Sequence, residues 1–249
     1  MSSNPVLVIG DACTDEFIYG QSIRLCPDAP VPVLTPVDTI QVGGMGLNVQ
    51  ANISALGIEC DIIHQVNNVI KTRYVDRKTN HTFLRVDNGE CTIDRIEKID
   101  VDYINQYAAI VISDYDKGFL LEDDIELICK NHPLVFVDTK KHISEYCATA
   151  TYIKINENEY DRSKDILQTN NYNNNLVVTL GSNGCRYRDT IFPVDRVEVK
   201  DMSGAGDTFM AGLVVKYLRT SDIISSIKYA NICATNVVQK RGVAVVDLH

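Results

Sequence analysis

The strongest constraint on the fold is a set of short, mostly apolar runs, each ending in polar residues. Val6–Ile9 leads into Gly10-Asp11, Ala109–Ser113 into Asp114-Tyr115-Asp116-Lys117-Gly118, and Leu134–Val137 into Asp138-Thr139-Lys140-Lys141. Tyr152–Ile155 leads into Asn156-Glu157-Asn158-Glu159, and Leu176–Leu180 into Gly181-Ser182-Asn183-Gly184. Runs this short and this uniform suit strands covered on both faces, and a helical pattern such as Leu121–Lys130 separates them. The rhythm predicts an α/β fold: a central, mostly parallel sheet with helices on both faces. In such a sheet the strand ends open on one crevice, so the recurring polar groups belong together.

The 249 residues suffice for one substantial core and are few for two, so residues 1–249 read as a single domain. A hydrophobic fraction of 45% excludes global disorder. No apolar run reaches the roughly 20 residues of a membrane span, and Met1–Pro5 lacks a signal pattern, so a soluble cytoplasmic protein is the expectation. The formal charge of -9 argues against a nucleic-acid-binding surface. Eight cysteines, at 13, 26, 60, 91, 129, 147, 185 and 233, show no zinc spacing and read as free thiols, mostly in the core.

Near the C-terminal end, Asp201-Met202-Ser203-Gly204-Ala205-Gly206-Asp207-Thr208-Phe209 predicts a tight loop opening into a helix over Thr208–Leu218. Backbone N–H groups at such a helix start attract an anion. Asp207 would repel that anion if it served only as a cap, and makes better sense as a proton acceptor for a hydroxyl attacking a phosphate. A turn with an Asp cap explains this motif alone equally well. Gly43-Gly44-Met45-Gly46-Leu47-Asn48 precedes a second helix, Val49–Leu56, and its glycines permit close approach of a ligand. Asp11, Asp15 and Asn48 have the donor and acceptor chemistry that sugar hydroxyls require.

Elsewhere the pattern is extended. Prolines 27, 30, 32 and 36 divide Phe17–Val42 into short pieces, and Thr72–Asp76 with Thr82–Val86 reads as a hairpin. Together, segments of about 17–42 and 70–87 predict a small β flap outside the main sheet. Asn170–Asn175 reads as an exposed connection, Ile223–Val238 as a long helix capped by Asp222, and Gly242–Val246 as a final turn and strand.

The two glycine-rich motifs, Gly43–Asn48 and Asp201–Phe209, resemble the signatures of the ribokinase-like, or PfkB, carbohydrate kinases. Gly10–Asp15, Arg24–Val33, Lys71-Thr72-Arg73, Leu84–Asp87, Ser113–Gly118 and Ala230-Asn231 through Gly242 are most similar to the kinase domain of bacterial heptose 7-phosphate kinases. Such enzymes phosphorylate O1 of D-glycero-D-manno-heptose 7-phosphate on the route to lipopolysaccharide heptose, and in many a nucleotidyltransferase domain follows. The resemblance implies a three-layer ribokinase-like sandwich with a β lid, using ATP and Mg2+. By it, Asp207 is the catalytic base, and Gly204, Ala205 and Gly206 form the anion hole. Asp15, Gly44 and Asn48 hold the acceptor, with Asp11 and Asp114 as further candidates. Asn156 and Glu159 match a motif associated with phosphate and with magnesium held through water. Thr179, Gly181, Gly184 and Asn231 fall in the nucleotide site, and Asp201 and Ser203 resemble part of a monovalent-cation site for K+. Lys71, Arg73 and Arg85 are assigned to the distal phosphate on charge alone; a solvated lid face accounts for them as well.

One departure stands out. Only Asn67–Lys71 separates the Cys60–Val66 strand from the lid strand, where relatives carry several tens of residues including a helix. Loss of a peripheral βα unit leaves sheet surface to be covered by a second subunit or an altered lid, and a homodimer through the lid strands follows as an expectation. It also opens two alternatives to the heptose reading: a kinase for another sugar, sugar phosphate or nucleoside, and a regulatory protein that binds nucleotide or sugar with little turnover.

Overall fold

The computed structural model describes residues 4–169 and 172–248, so Met1–Ser3 and the Asn170-Asn171 part of the expected connection lie outside the described residues. From the start, β1 (Val6–Gly10) leads into β2 (Ala12–Leu25), which returns as β3 (Pro32–Met45) and enters α1 (Gly46–Ala55). Next come β4 (Cys60–Ile63), β5 (Ile70–Asp76), β6 (Thr82–Asn88) and the one-turn α2 (Val101–Ile104). A βα series follows: β7 (Ala109–Asp114), α3 (Glu122–Asn131), β8 (Val135–Thr139), β9 (Tyr152–Asn156), α4 (Glu157–Arg162), α5 (Lys164–Thr169) and β10 (Leu176–Thr179). The chain then forms β11 (Cys185–Tyr187), β12 (Thr190–Phe192), α6 (Ala205–Thr220) and α7 (Ile223–Val237).

The main sheet has the order β12-β11-β10-β9-β8-β7-β1-β4. It is parallel from β10 to β4, and β11 and β12 add antiparallel pairings at one side. Side chains alternate between its two faces, and each face has its own core. Val6, Val8, Val111 and Phe136 pack with Val49 and Ile53 of α1 and with Phe209 and Leu213 of α6. The alternate set Leu7, Ile9, Ile110 and Ile112 packs with Ile125 and Ile128 of α3. Burial on both faces explains the mostly apolar runs.

A second sheet has the order β3-β2-β5-β6. The prolines do not divide its first hairpin, contrary to expectation: β2 and β3 are each continuous for 14 residues. Pro32 and Pro36 lie on β3, an edge strand, where a missing N–H costs little. Register shifts near Tyr19/Gly20 and Ser22/Arg24 absorb the irregularity.

The short link after β4 is tied directly into the fold. Gln65 Nε2 donates to the Ala12 carbonyl at 2.5 Å and its Oε1 accepts from Ala12 N at 3.0 Å, while Thr14 N donates to Val69 O at 2.8 Å. β4 forms one edge of the main sheet, and Tyr107 OH donates to Asp61 Oδ2 there at 2.9 Å.

Gly242–Val246 makes the expected turn but no strand. Side chains take the backbone donors that a sheet ladder would have used. Gly242 N donates to Asp201 Oδ2 at 3.1 Å, and Val246 N to Asn52 Oδ1 at 2.9 Å. The eight cysteines are free thiols.

Candidate active site

Asp207 lies in the first turn of α6, buried to 4% exposure. Gly204 caps that helix at φ 79°, a left-handed conformation costly for any residue with a Cβ, and a Cβ there would also meet Asn48 Nδ2 at 2.5 Å. Thr208 N returns the first helical bond, to Gly204 O at 2.9 Å, so the N–H groups of Gly206 and Asp207 stand free at the positive end of the helix. Asp207 Oδ1 accepts from Tyr115 OH at 2.6 Å, and Oδ2 from Asn48 Nδ2 at 3.0 Å. Burial pushes this carboxyl above its ordinary range, and the two hydrogen bonds offset only part of the rise.

Behind the turn lie two lysines that the sequence pattern did not single out. A Cβ on Gly206 would stand 3.1 Å from Lys154 Nζ, which places a buried ammonium directly beneath the Gly204–Gly206 turn. Lys154 Nζ donates to Asp138 Oδ2 at 2.5 Å. Lys140 Nζ lies 3.3 Å from Asp138 Oδ1 and 2.7 Å from Glu159 Oε1. Burial pushes the Asp138 carboxyl up, but Lys140 and Lys154 more than offset this and hold it below the usual range. Burial likewise pulls Lys140 down, and Asp138 with Glu159 outweighs it, so Lys140 stays charged well into the alkaline range.

Asn156 and Glu159 form a reciprocal helix cap at the start of α4. Asn156 Oδ1 accepts from Glu159 N at 2.9 Å, and Glu159 Oε2 accepts from Asn156 N at 2.7 Å. The residues expected to meet phosphate and magnesium thus form a cap as well, and Glu159 Oε1 accepts from Asn156 Nδ2 at 2.7 Å beside Lys140.

A cavity of about 420 Å³ opens in front of Asp207, between the two sheets. Asp15, Lys71, Arg73 and Arg85 line it, and Tyr115, Lys117 and Lys140 join them. Its cations are paired with carboxylates in this form. Arg73 bonds Asp15, Arg85 Nε lies 2.7 Å from Asp87, and Glu90 sits between Lys71 at 3.1 Å and Lys117 at 2.6 Å. Burial pushes the Glu90 carboxyl up, and the two lysines overcome it and hold it low. Gly44 is needed here because a Cβ would collide with Asp15 Oδ2.

Three expected acceptor contacts are turned inward and do not line the cavity. Asn48 is spent on Asp207, and its Oδ1 accepts from Asn52 Nδ2 at 2.9 Å. Asp11 Oδ2 accepts from Tyr115 N at 2.6 Å and Lys117 N at 3.4 Å. Asp114 holds Thr139 Oγ1 at 2.5 Å and Lys141 Nζ at 2.9 Å. All three are about 1% exposed, and Asp11 Oδ1 is buried without a hydrogen-bond partner. Asp201 is similarly engaged, its Oδ1 with Ser203 N at 2.9 Å and its Oδ2 with Gly242 N.

A second cavity, about 560 Å³, lies between α7 and residues 192–197, and Asn231 lines it. Asn231 Nδ2 donates to Phe192 O at 2.9 Å, and Gly184 packs its backbone against the same carbonyl. Thr179 and Gly181 lie near the end of β10, away from its wall, with Thr179 Oγ1 donating to Ile155 O at 3.3 Å.

The pfkB family carbohydrate kinase profile matches residues 46–248. The chain is similar to the "Bifunctional protein HldE" of a Nitratiruptor species, 28% identical over 293 aligned residues covering 98% of this chain and 63% of that protein. It therefore spans less than two thirds of that relative. Among solved structures, ribokinase from Thermotoga maritima superposes with a TM-score of 0.74 at 15% identity, covering 96% of this chain and 94% of the other. Arabidopsis thaliana ribokinase complexed with ribose and ATP gives 0.68 at 12% identity, with 96% and 94% covered. These structures share the ribokinase-like α/β fold.

Proposed function

Because the chain belongs to the pfkB family of carbohydrate kinases, we propose that it transfers the γ-phosphoryl group of ATP to O1 of D-glycero-D-manno-heptose 7-phosphate. The observation that carries this reading is the buried Asp207 carboxylate, set beside free helix N–H groups and Lys154 and opening on a cavity rich in cations. Similarity to a bifunctional HldE protein and the distal cations support a phosphorylated acceptor.

In this mechanism Asp15 accepts from acceptor hydroxyls, and Asp207 takes the proton of the attacking hydroxyl. As the acceptor oxygen bonds to the γ-phosphorus, the bond from that phosphorus to the bridging oxygen of ADP breaks. The Gly204–Gly206 turn and Lys154 meet the charge on the transferred group, because positioning and electrostatic stabilisation do most of the work in phosphoryl transfer. An ordinary carboxylate is too weak a base to preform an alkoxide, so proton transfer accompanies phosphorus–oxygen bond formation. Lys71, Arg73, Arg85 and Lys117 receive the distal phosphate. The cavity beside Asn231 takes the nucleotide base.

Among the described residues, no group of three or more His, Cys, Asp or Glu side chains is placed to hold a metal. Magnesium, which keeps several waters, would be carried on the nucleotide phosphates and met through water by Glu159, beside Lys140. Bound there, it would neutralise phosphate charge. Asp201 accepts from the backbone N–H groups of Ser203 and Gly242.

We further propose that the four-stranded sheet is a lid and that it meets a second copy through exposed apolar side chains such as Ile23, Leu25, Ile40 and Leu84. Sedimentation showing only monomer at working concentration would sink the dimer. No described helix is long and apolar enough to cross a membrane.

The test of the activity is coupled ADP release with MgATP and an acceptor panel headed by heptose 7-phosphate, with Asp207→Asn run in parallel. Heptose-dependent turnover that the variant loses supports the reading. Turnover with another sugar alone changes the acceptor, and silence from every acceptor by a folded, nucleotide-binding protein removes the kinase assignment.

A further inference from the structure

We infer that Tyr115 is a positioning residue for the proposed transfer, its hydroxyl fixing the Asp207 carboxylate against the acceptor. The assignment rests on the kinase reading for its role, and on geometry for its contact. Tyr115 OH lies 2.6 Å from Asp207 Oδ1, and its ring has Lys71 Nζ at 5.8 Å and Lys140 Nζ at 5.3 Å from its centre. Two ammonium groups over one ring draw on its electron density and hold its plane.

The backbone is held as firmly. Asp11, just beyond the end of β1, accepts from Tyr115 N through Oδ2, while its own carbonyl accepts from Gly46 N at 2.9 Å, at the start of α1. α1 carries Asn48, the other donor to Asp207. One residue therefore anchors both segments that hold the base. Asp11 Oδ2 is buried beneath the site and aimed at the loop, while Oδ1 is buried without a hydrogen-bond partner.

The two donors differ chemically. Asn48 Nδ2 can only donate, whereas a tyrosine hydroxyl can donate or accept. Tyr115 can therefore stay bonded to Asp207 before and after the acceptor proton arrives, so the base keeps its orientation through the step. Groups facing Asp207 are Tyr115 from the β7–α3 turn, neutral Asn48 from α1, Asp138 from β8 and Lys154 from β9. Cys13 of β2 also acts on Tyr115, whose phenol is pushed well up, first by burial and then by Asp207.

The experiment pairs kinetics with a titration that needs no acceptor. Tyr115→Phe removes the hydroxyl and keeps the ring. Loss of a hydrogen bond to a charged group is expected to lower kcat about 10- to 100-fold, with little change in acceptor KM. The acid limb of the pH profile moves upward, because the lost bond had favoured ionised Asp207. Separately, 3-fluorotyrosine at position 115 in the full chain gives a fluorine resonance that should follow Asp207 ionisation and lose that titration in Asp207→Asn. Unchanged kcat and an unmoved acid limb in Tyr115→Phe overturn the inference, as does a fluorine titration that persists without Asp207. If no acceptor is turned over, the kinase reading fails while the fluorine measurement still decides the contact. The same measurement decides it if Tyr115→Phe does not fold.

Discussion

Lys154 and Asp138 face each other in register across β9 and β8, with Nζ 2.5 Å from Oδ2 and both side chains buried. The pair brings a fixed positive charge under Gly206, where the transferred group would pass. Lys154→Met is expected to destabilise the protein by about 3 kcal/mol, the low end for breaking a buried pair, because Lys140 still faces Asp138. The double variant Asp138→Asn/Lys154→Met should regain most of that stability yet remain slow. Urea unfolding and ADP release, measured together, check it: recovered turnover in the double variant would show that Lys154 serves the fold alone.

In the proposed mechanism Asp207 sets the acid limb of the reaction. Its carboxyl is raised by burial above the ordinary 3.8, so activity is lost as pH falls through that raised value. Asp207→Asn should lower kcat by about 100-fold or more. The same shift has a stability consequence. Below both the unfolded and folded values, the carboxyl is protonated in both states and costs nothing; above the folded value, the native state carries a disfavoured buried charge. The variant should therefore gain thermal stability over the native protein at pH 8 and show less gain at pH 4, with Tyr115 OH able to accept from the new amide.

Glu90 competes with any anion for Lys71 and Lys117. In Glu90→Gln those lysines lose a charged partner, and a phosphorylated acceptor should bind roughly 2- to 5-fold more tightly. An unphosphorylated acceptor of the same skeleton is the control. Equal changes in KM for both would place the phosphate elsewhere.

Gly44→Ala drives a methyl group into Asp15. A displacement of about 1 Å at a positioned group commonly costs on the order of 100-fold, so kcat/KM should fall by that order. Nucleotide affinity, measured by calorimetry, should hold.

The main sheet was legible because its strands are buried on both faces, which writes Val6–Ile9 or Ala109–Ser113 as mostly apolar runs. The starts of α6 and α7 were legible because Gly204 and Asp222 have local reasons to be there: Gly204 takes a left-handed turn, and Asp222 accepts from Ile224 N and Ser225 N. β2 and β3 were harder. Their outer halves are exposed, so no face is recorded in the apolar pattern, and edge position excuses the prolines. Lys154 escaped notice because it sits inside a strand run, although a lysine in an otherwise buried run demands a partner, and Asp138 ends the neighbouring run. Glu90 and the bond from Tyr115 to Asp207 left no local signature; they join segments far apart in the chain.

The segment Gly242–Val246 ties together groups that it does not itself resemble. Through Asp201 it reaches the anion loop, and through Asn52 and Asn48 it reaches Asp207. During synthesis, a nascent chain that has already exposed every signature motif still lacks these ties. Asp207 and the Gly204–Gly206 turn gain their final support only when residues 242–246 have left the ribosome, so an arrested chain carries the motifs without the assembled site.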